Sequence, residues 1–150
     1  MAIELLLMVP LRINNLAHLK LGEHLIRSRK GVMHLAIPGH AVKNGVAIEA
    51  LLQDQTVRLL DLYINTYLPL LRRAPSPWLF PGRRDNTPKS RDMLRAQIID
   101  CVKERCGLLI NPHLFRHIAA KLYLEAHPGA YGVVRLLHGH KSVDTTTRFY

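Results

Sequence analysis

Asn111-Pro112-His113-Leu114-Phe115-Arg116-His117, and beyond it Leu137-His138-Gly139-His140-Lys141-Ser142 with Asp144-Thr145-Thr146-Thr147-Arg148-Phe149-Tyr150, hold the densest chemistry in this chain. Asn111 reads as a helix N-cap and Pro112 as the first helical residue, where a missing N–H leaves nothing unsatisfied. His113 and Arg116 then lie three residues apart on one helix. An imidazole and a guanidinium on a shared face can reach a single anion. This helix is predicted to run to about Ala126, ahead of the Pro128-Gly129 break. Ala130 to Leu137 reads as a short helix, and Val143 to Tyr150 as a last helical turn or two.

Upstream, Met93 to Cys106 has helical character, with Gly107 placed as its C-cap. Trp78-Leu79-Phe80 is an apolar anchor ahead of a basic loop punctuated by Pro and Gly, Pro81 to Ser90. Val57, Leu60, Ile64 and Tyr67 recur at three- and four-residue steps and predict another helix, ended by Pro69 and the Arg72 to Pro77 run. Before residue 52 the pattern is that of strands. Leu25 to Ser28 and Val32 to Ile37 flank the turn Arg29-Lys30-Gly31, and Val46 to Ala50 follows the turn Lys43-Asn44-Gly45. Met1 to Val9 reads as an opening helix interrupted by Pro10, followed by a second short helical stretch carrying Leu11, Leu16, Leu19 and Leu21. The expected fold is therefore α+β and mainly α, with a small three-stranded antiparallel sheet near the N-terminus.

The 150 residues make one domain, and no repeat, low-complexity tract or linker divides them. Hydrophobic residues at 48% and charged residues at 21% describe a globular chain. Twenty-one Lys and Arg against 11 Asp and Glu give +10, which points to a polyanionic partner, nucleic acid before membrane. The longest apolar stretch, Ile3 to Leu11, is interrupted by Glu4 and falls short of the ~20 residues a spanning helix needs. It also lacks the flanks of a signal peptide. Cys101 and Cys106 lie about 140° apart around a helix, so no disulfide is expected and a reducing cytoplasm is the default location.

The order of polar residues along the chain resembles that of the tyrosine recombinases, the phage integrase family. It runs as an early Arg (Arg12), a Lys in a β-turn (Lys43), His-x-x-Arg (His113, Arg116), Gly-His (Gly139, His140) and a terminal Tyr (Tyr150). The resemblance covers Arg12 to Tyr150 and implies an integrase-like catalytic domain that cleaves and rejoins double-stranded DNA without a cofactor. It implies that Tyr150 is the nucleophile, that Arg12 and Arg116 clamp the phosphate, and that His113 is the base. Lys43 would be the acid, and His140 would hydrogen-bond a phosphate oxygen. Elementary chemistry agrees. A metal-free phosphodiester cleavage needs a nucleophile, planar cations for the charge growing on the non-bridging oxygens, and groups to move two protons.

Relatives also carry an N-terminal DNA-clamping domain and a segment after the tyrosine that docks on a neighbouring subunit in a tetramer. The chain begins abruptly inside a core-forming helix and stops at Tyr150 in an unfinished helical pattern. The expectation is a catalytic-domain fragment, residues 1–150, of a longer protein. Two departures from the family pattern stand out. The nucleophile usually lies nine residues after the Gly-His histidine, where this chain has Phe149. Either a one-residue insertion moves the role to Tyr150, or phenylalanine in the slot leaves the site inactive. The usual acidic residue three after the first arginine is Asn15, which can hydrogen-bond but cannot neutralise Arg12.

Arg83, Arg84, Lys89, Arg91, Lys141 and Arg148 are the candidates for contacts along the DNA backbone, against the plainer reading of solvated cations. His113 and His117, four residues apart, would form a two-histidine zinc face, but no third ligand is evident and no metal is expected. Three rival functions remain. They are relaxation of supercoils in the manner of a type IB topoisomerase, a catalytically inactive DNA-binding remnant, and a metal-dependent nuclease.

Overall fold

A computed structural model of the chain describes residues 1–138, with side chains through Val134. The elements follow in the order α1 (Ala2–Met8), α2 (Ile13–Ala17), β1 (Leu25–Arg27), β2 (Met33–Ile37), β3 (Ile48–Leu51), α3 (Asp54–Leu62), α4 (Leu68–Leu71), α5 (Arg91–Cys106), α6 (Pro112–Ala126) and α7 (Tyr131–His138). The expected mainly helical fold with a small N-terminal sheet is the one observed. The last helical segment predicted, Val143 to Tyr150, lies outside the described residues.

The three strands form one antiparallel sheet in the order β1-β2-β3, with Leu25 opposite Leu35 and Leu35 opposite Ala50. Alternation along β2 sends Met33, Leu35 and Ile37 into the core and His34 outward. The third strand starts two residues later than the turn signal suggests. Gly39 is the cause. A Cβ there would lie 2.4 Å from the Gly45 carbonyl oxygen and 3.4 Å from the Ala47 nitrogen, so residues 45–47 are held against Gly39 and not against β2.

Helices close over the sheet around one apolar cluster. It joins Leu5 and Leu6 of α1, Leu16 of α2, Leu35 of β2, Leu60 of α3, Leu94, Ile98 and Val102 of α5, and Phe115 of α6. The four-residue spacing along α5 places its three apolar residues in one stripe. Leu79 and Phe80 also enter this core. Trp78, expected with them, stays half-buried at the rim, where its ring packs edge-on against His18 at 5.9 Å and its Nε1 donates to the Asn86 carbonyl at 3.1 Å.

The helix predicted from Val57, Leu60, Ile64 and Tyr67 departs from its pattern halfway. Residues Tyr63–Tyr67 form a π-helical turn, in which the Leu68 N–H reaches back five residues to the Tyr63 carbonyl. The extra residue rotates the C-terminal part of the helix, so Tyr67 is 52% exposed and Leu68 takes the buried position. Pro69 does not end the helix. It sits in the first turn of α4, where its absent N–H is tolerated, and the chain turns extended at Arg72. No helix among the described residues is long and apolar enough to cross a membrane.

Candidate active site

Three segments far apart in the chain meet at the start of α6: residues 10–12, the β2–β3 connection and the first turns of the helix. Asn111 caps this helix. Its Oδ1 accepts from the backbone N–H of His113 at 2.9 Å and of Leu114 at 3.2 Å, and Pro112 occupies the first turn. The cap fixes the register that presents His113 to solvent while Arg116, three residues on, turns inward and is 4% exposed.

A guanidinium so deeply buried needs partners. Arg116 Nη1 donates to the Pro10 carbonyl at 2.5 Å, a contact between residues 106 positions apart. Packing of α1 against α6 makes that contact possible. Two residues after Pro10, Arg12 takes an extended conformation as the N-cap of α2. Its Nη1 donates to Asn44 Oδ1 at 3.3 Å. Asn44 belongs to the turn between β2 and β3, and its neighbour Lys43 is exposed. A short 3-10 turn, Gly39–Ala41, and a bond from the Gly45 N–H to the Val42 carbonyl at 2.9 Å keep this connection compact.

Electrostatics tie the segments together. The His113 imidazole is held below its ordinary titration range, first by burial and then by the positive charges of His117, Arg116 and Arg12. Both arginines therefore act on the same ring. His117 lies one helical turn further along, its Nε2 3.4 Å from His113 Nε2.

Of the six residues singled out for catalysis, Arg12, His113 and Arg116 are gathered here, and Lys43 lies beside Asn44 on the turn that Arg12 grips. His140 and Tyr150 lie outside the described residues. Two contributors were not read from the sequence: Asn44, whose side chain holds Arg12, and Pro10, whose carbonyl holds Arg116. Asn15, in place of the usual acid, is buried, and its Nδ2 has no hydrogen-bond partner among the described residues.

The basic loop forms a second feature. Arg73, Arg83, Arg84, Thr87 and Lys89 line an open cleft of about 480 Å³ against Tyr63 and Gln97. Arg83 and Arg84 are exposed, whereas Lys89 is half-buried and donates to Gln97 Oε1 at 2.8 Å. Burial lowers the Lys89 ammonium from its ordinary range. Tyr63 on the opposite wall donates its hydroxyl to the Leu79 carbonyl, and burial pushes that phenol up to about 12. Arg91 pairs with the adjacent Asp92 at 3.1 Å. Lys141 and Arg148, the other two candidates, lie outside the described residues.

Comparison with known proteins agrees with the fold and with the family that the sequence resembles. The sequence profile of the phage integrase family matches residues 1–150. A putative integrase/recombinase, y4qK of Sinorhizobium fredii (strain NBRC 101917 / NGR234), is 35% identical over 79 residues, covering 50% of this chain and 24% of its own length. The structure of the XerH site-specific recombinase in a post-cleavage complex with palindromic difH matches 99% of this chain and 40% of that one, with a TM-score of 0.76 at 17% identity. XerA recombinase matches with a TM-score of 0.72 at 21% identity, over 99% of this chain and 50% of its own. The Tn1549 transposon integrase bound to a circular-intermediate DNA gives 0.64 at 15% identity, over 99% of this chain and 52% of its own. The chain thus spans about a quarter of the curated relative and about half or less of these structures. With its profile matched from end to end, the chain belongs to the phage integrase family.

Proposed function

We propose that residues 1–150 form the catalytic domain of a site-specific DNA recombinase that works through a 3′-phosphotyrosine. Tyr150 Oη attacks the scissile phosphorus and the bond to O5′ breaks. The phenol proton passes to His113, and O5′ takes a proton from Lys43. Arg12 and Arg116 grip the non-bridging oxygens, and His140 hydrogen-bonds one of them. A 5′ hydroxyl from a partner strand then attacks the phosphotyrosine and restores both groups. The bond energy is retained in the phosphotyrosine, so the exchange takes no ATP and the reading assigns no cofactor.

The observation that carries this reading is that Arg116, three residues along α6 from His113, is tied to the Pro10 carbonyl two residues before Arg12, which supports one site for two guanidiniums from opposite ends of the chain. The partner is double-stranded DNA, followed by Arg83, Arg84, Lys89 and Arg91 and by Lys141 and Arg148. Exchange takes place within a tetramer on DNA, to which further segments of a longer protein contribute, and the setting is the cytoplasm.

A nicked suicide DNA substrate tests the reading. The expected product is a covalent protein–DNA adduct that maps to Tyr150, forms in EDTA and is abolished by Tyr150→Phe. An adduct on another residue, or EDTA-sensitive cleavage without an adduct, overturns it. Relaxation of supercoils with no strand exchange would reassign the chain to topoisomerase chemistry, and DNA binding unchanged by Tyr150→Phe with no cleavage at all would make it a binding remnant.

A further inference from the structure

His113 and His117 stand one turn apart on α6 with their Nε2 atoms 3.4 Å apart and their ring planes at 87°. Two ring nitrogens bound to one tetrahedral Zn²⁺ at ~2.0–2.1 Å lie ~3.3–3.4 Å from each other. The same separation is longer than the ~2.9–3.0 Å of a good hydrogen bond from nitrogen.

We propose that His113 and His117 form a two-imidazole chelate for a late first-row divalent ion of the Zn²⁺ class, and that the bound ion takes the Nε2 with which His113 would accept a proton. Imidazole nitrogen favours Zn²⁺, Cu²⁺ or Ni²⁺ over the oxygen-seeking Mg²⁺ and Ca²⁺. His113 is exposed, so an ion can reach its ring from solvent. In the chelate both rings carry their single proton on Nδ1, so one proton moves from Nε2 to Nδ1 within the pair and none is released.

Among the described residues no group of three His, Cys, Asp or Glu converges on an ion, so these residues supply two of the four ligands of a tetrahedral site. The nearby Arg12 and Arg116 charges oppose a bare dication and favour an anion as the third ligand. The site is accordingly a reversible, modest-affinity one. The blocking of His113 as a base rests on the recombinase reading, whereas the chelate itself does not, because its test reads ring nitrogens and not cleavage.

The test titrates Zn²⁺ into the tag-free chain carrying Cys101→Ser and Cys106→Ser, which removes the two exposed thiols that would compete. Long-range ¹⁵N–¹H spectra of the imidazoles should show the Nε2 resonances of His113 and His117 moving together and saturating at one equivalent. The acid titration of His113 should shift to lower pH while the ion is bound, and Mg²⁺ should move neither ring. His113→Ala and His117→Gln should each weaken binding by at least ~10-fold. His113 is exposed, so its variant keeps the fold and decides the matter even where His117→Gln does not fold. Zn²⁺ shifts confined to other histidines, or binding as tight in His113→Ala as in the parent, overturn the proposal.

Discussion

At the level of single residues, the site turns on what surrounds His113. With part of its hydration removed and the Arg116 and Arg12 charges nearby, His113 prefers the neutral form, so its titration lies below the ordinary histidine value in the folded chain. Neutral imidazole is the form present above the midpoint, and a depressed midpoint therefore extends the base form toward acid. A proton-detected titration should place the His113 midpoint below 6.5, and Arg12→Gln should raise it, because one positive charge is then gone from around the ring. A midpoint at or above 6.5, or one unmoved by Arg12→Gln, would separate Arg12 from this site. Gly39 matters for a different reason. Its φ is ordinary, yet a methyl group would meet the Gly45 carbonyl oxygen at 2.4 Å, and backbone cannot yield as a side-chain tip does. Gly39→Ala should therefore shift the turn carrying Lys43 and Asn44 and lower cleavage far more than it lowers the urea midpoint, with backbone amide shifts concentrated in residues 38–47.

Among the elements, the caps do the positioning. Asn111 satisfies two first-turn N–H groups of α6, and loss of such a cap destabilises by ~1 kcal/mol. Asn111→Ala should lower unfolding free energy by that amount in urea and broaden the His113 resonances, since the frayed turn is the one that presents the ring. Gly107 closes α5 in the left-handed region at φ 69°, where an L side chain is disfavoured, so Gly107→Ala should cost ~1–2 kcal/mol by the same measurement. Both caps were legible in the sequence, as were the three strands, because turn and cap residues act on their immediate neighbours. The π-helical turn at Tyr63–Tyr67 was not. Apolar periodicity counts residues at a constant step, and one inserted residue leaves no mark on composition while moving the buried position from Tyr67 to Leu68. In the site, the cap and the helix that carries His113 and Arg116 could be read because their signals are local, although His113 faces solvent and Arg116 is buried. The Pro10 carbonyl and the Asn44 amide could not, because each partner lies far along the chain and only the packing of α1 on α6, or the folding of the β2–β3 connection, brings it close.

For the molecule as a whole, the excess of cations is the property that local structure does not consume. Among the described residues, the pairs Lys20 with Glu23 and Arg91 with Asp92 are solvent-facing couples close in sequence, which water and salt screen. Arg83 and Arg84, by contrast, stand exposed at the mouth of a cleft separate from the His113 site, where a phosphate backbone can follow them. Binding to duplex DNA should then fall steeply with salt, by ~0.9 in the log–log slope for each phosphate neutralised. Replacing Arg83 and Arg84 together by Ala should reduce that slope by about 2 and weaken binding to all sequences alike. Arg91→Ala should change it less, since Asp92 already offsets part of that charge. His113→Ala should leave the slope where it was, because a neutral imidazole releases no counterion. Fluorescence anisotropy of one labelled duplex across a salt series measures the parent and its three variants in the same units. A slope unchanged by the double substitution would mean that the cleft arginines face water in the complex and that the phosphates are held elsewhere on the molecule.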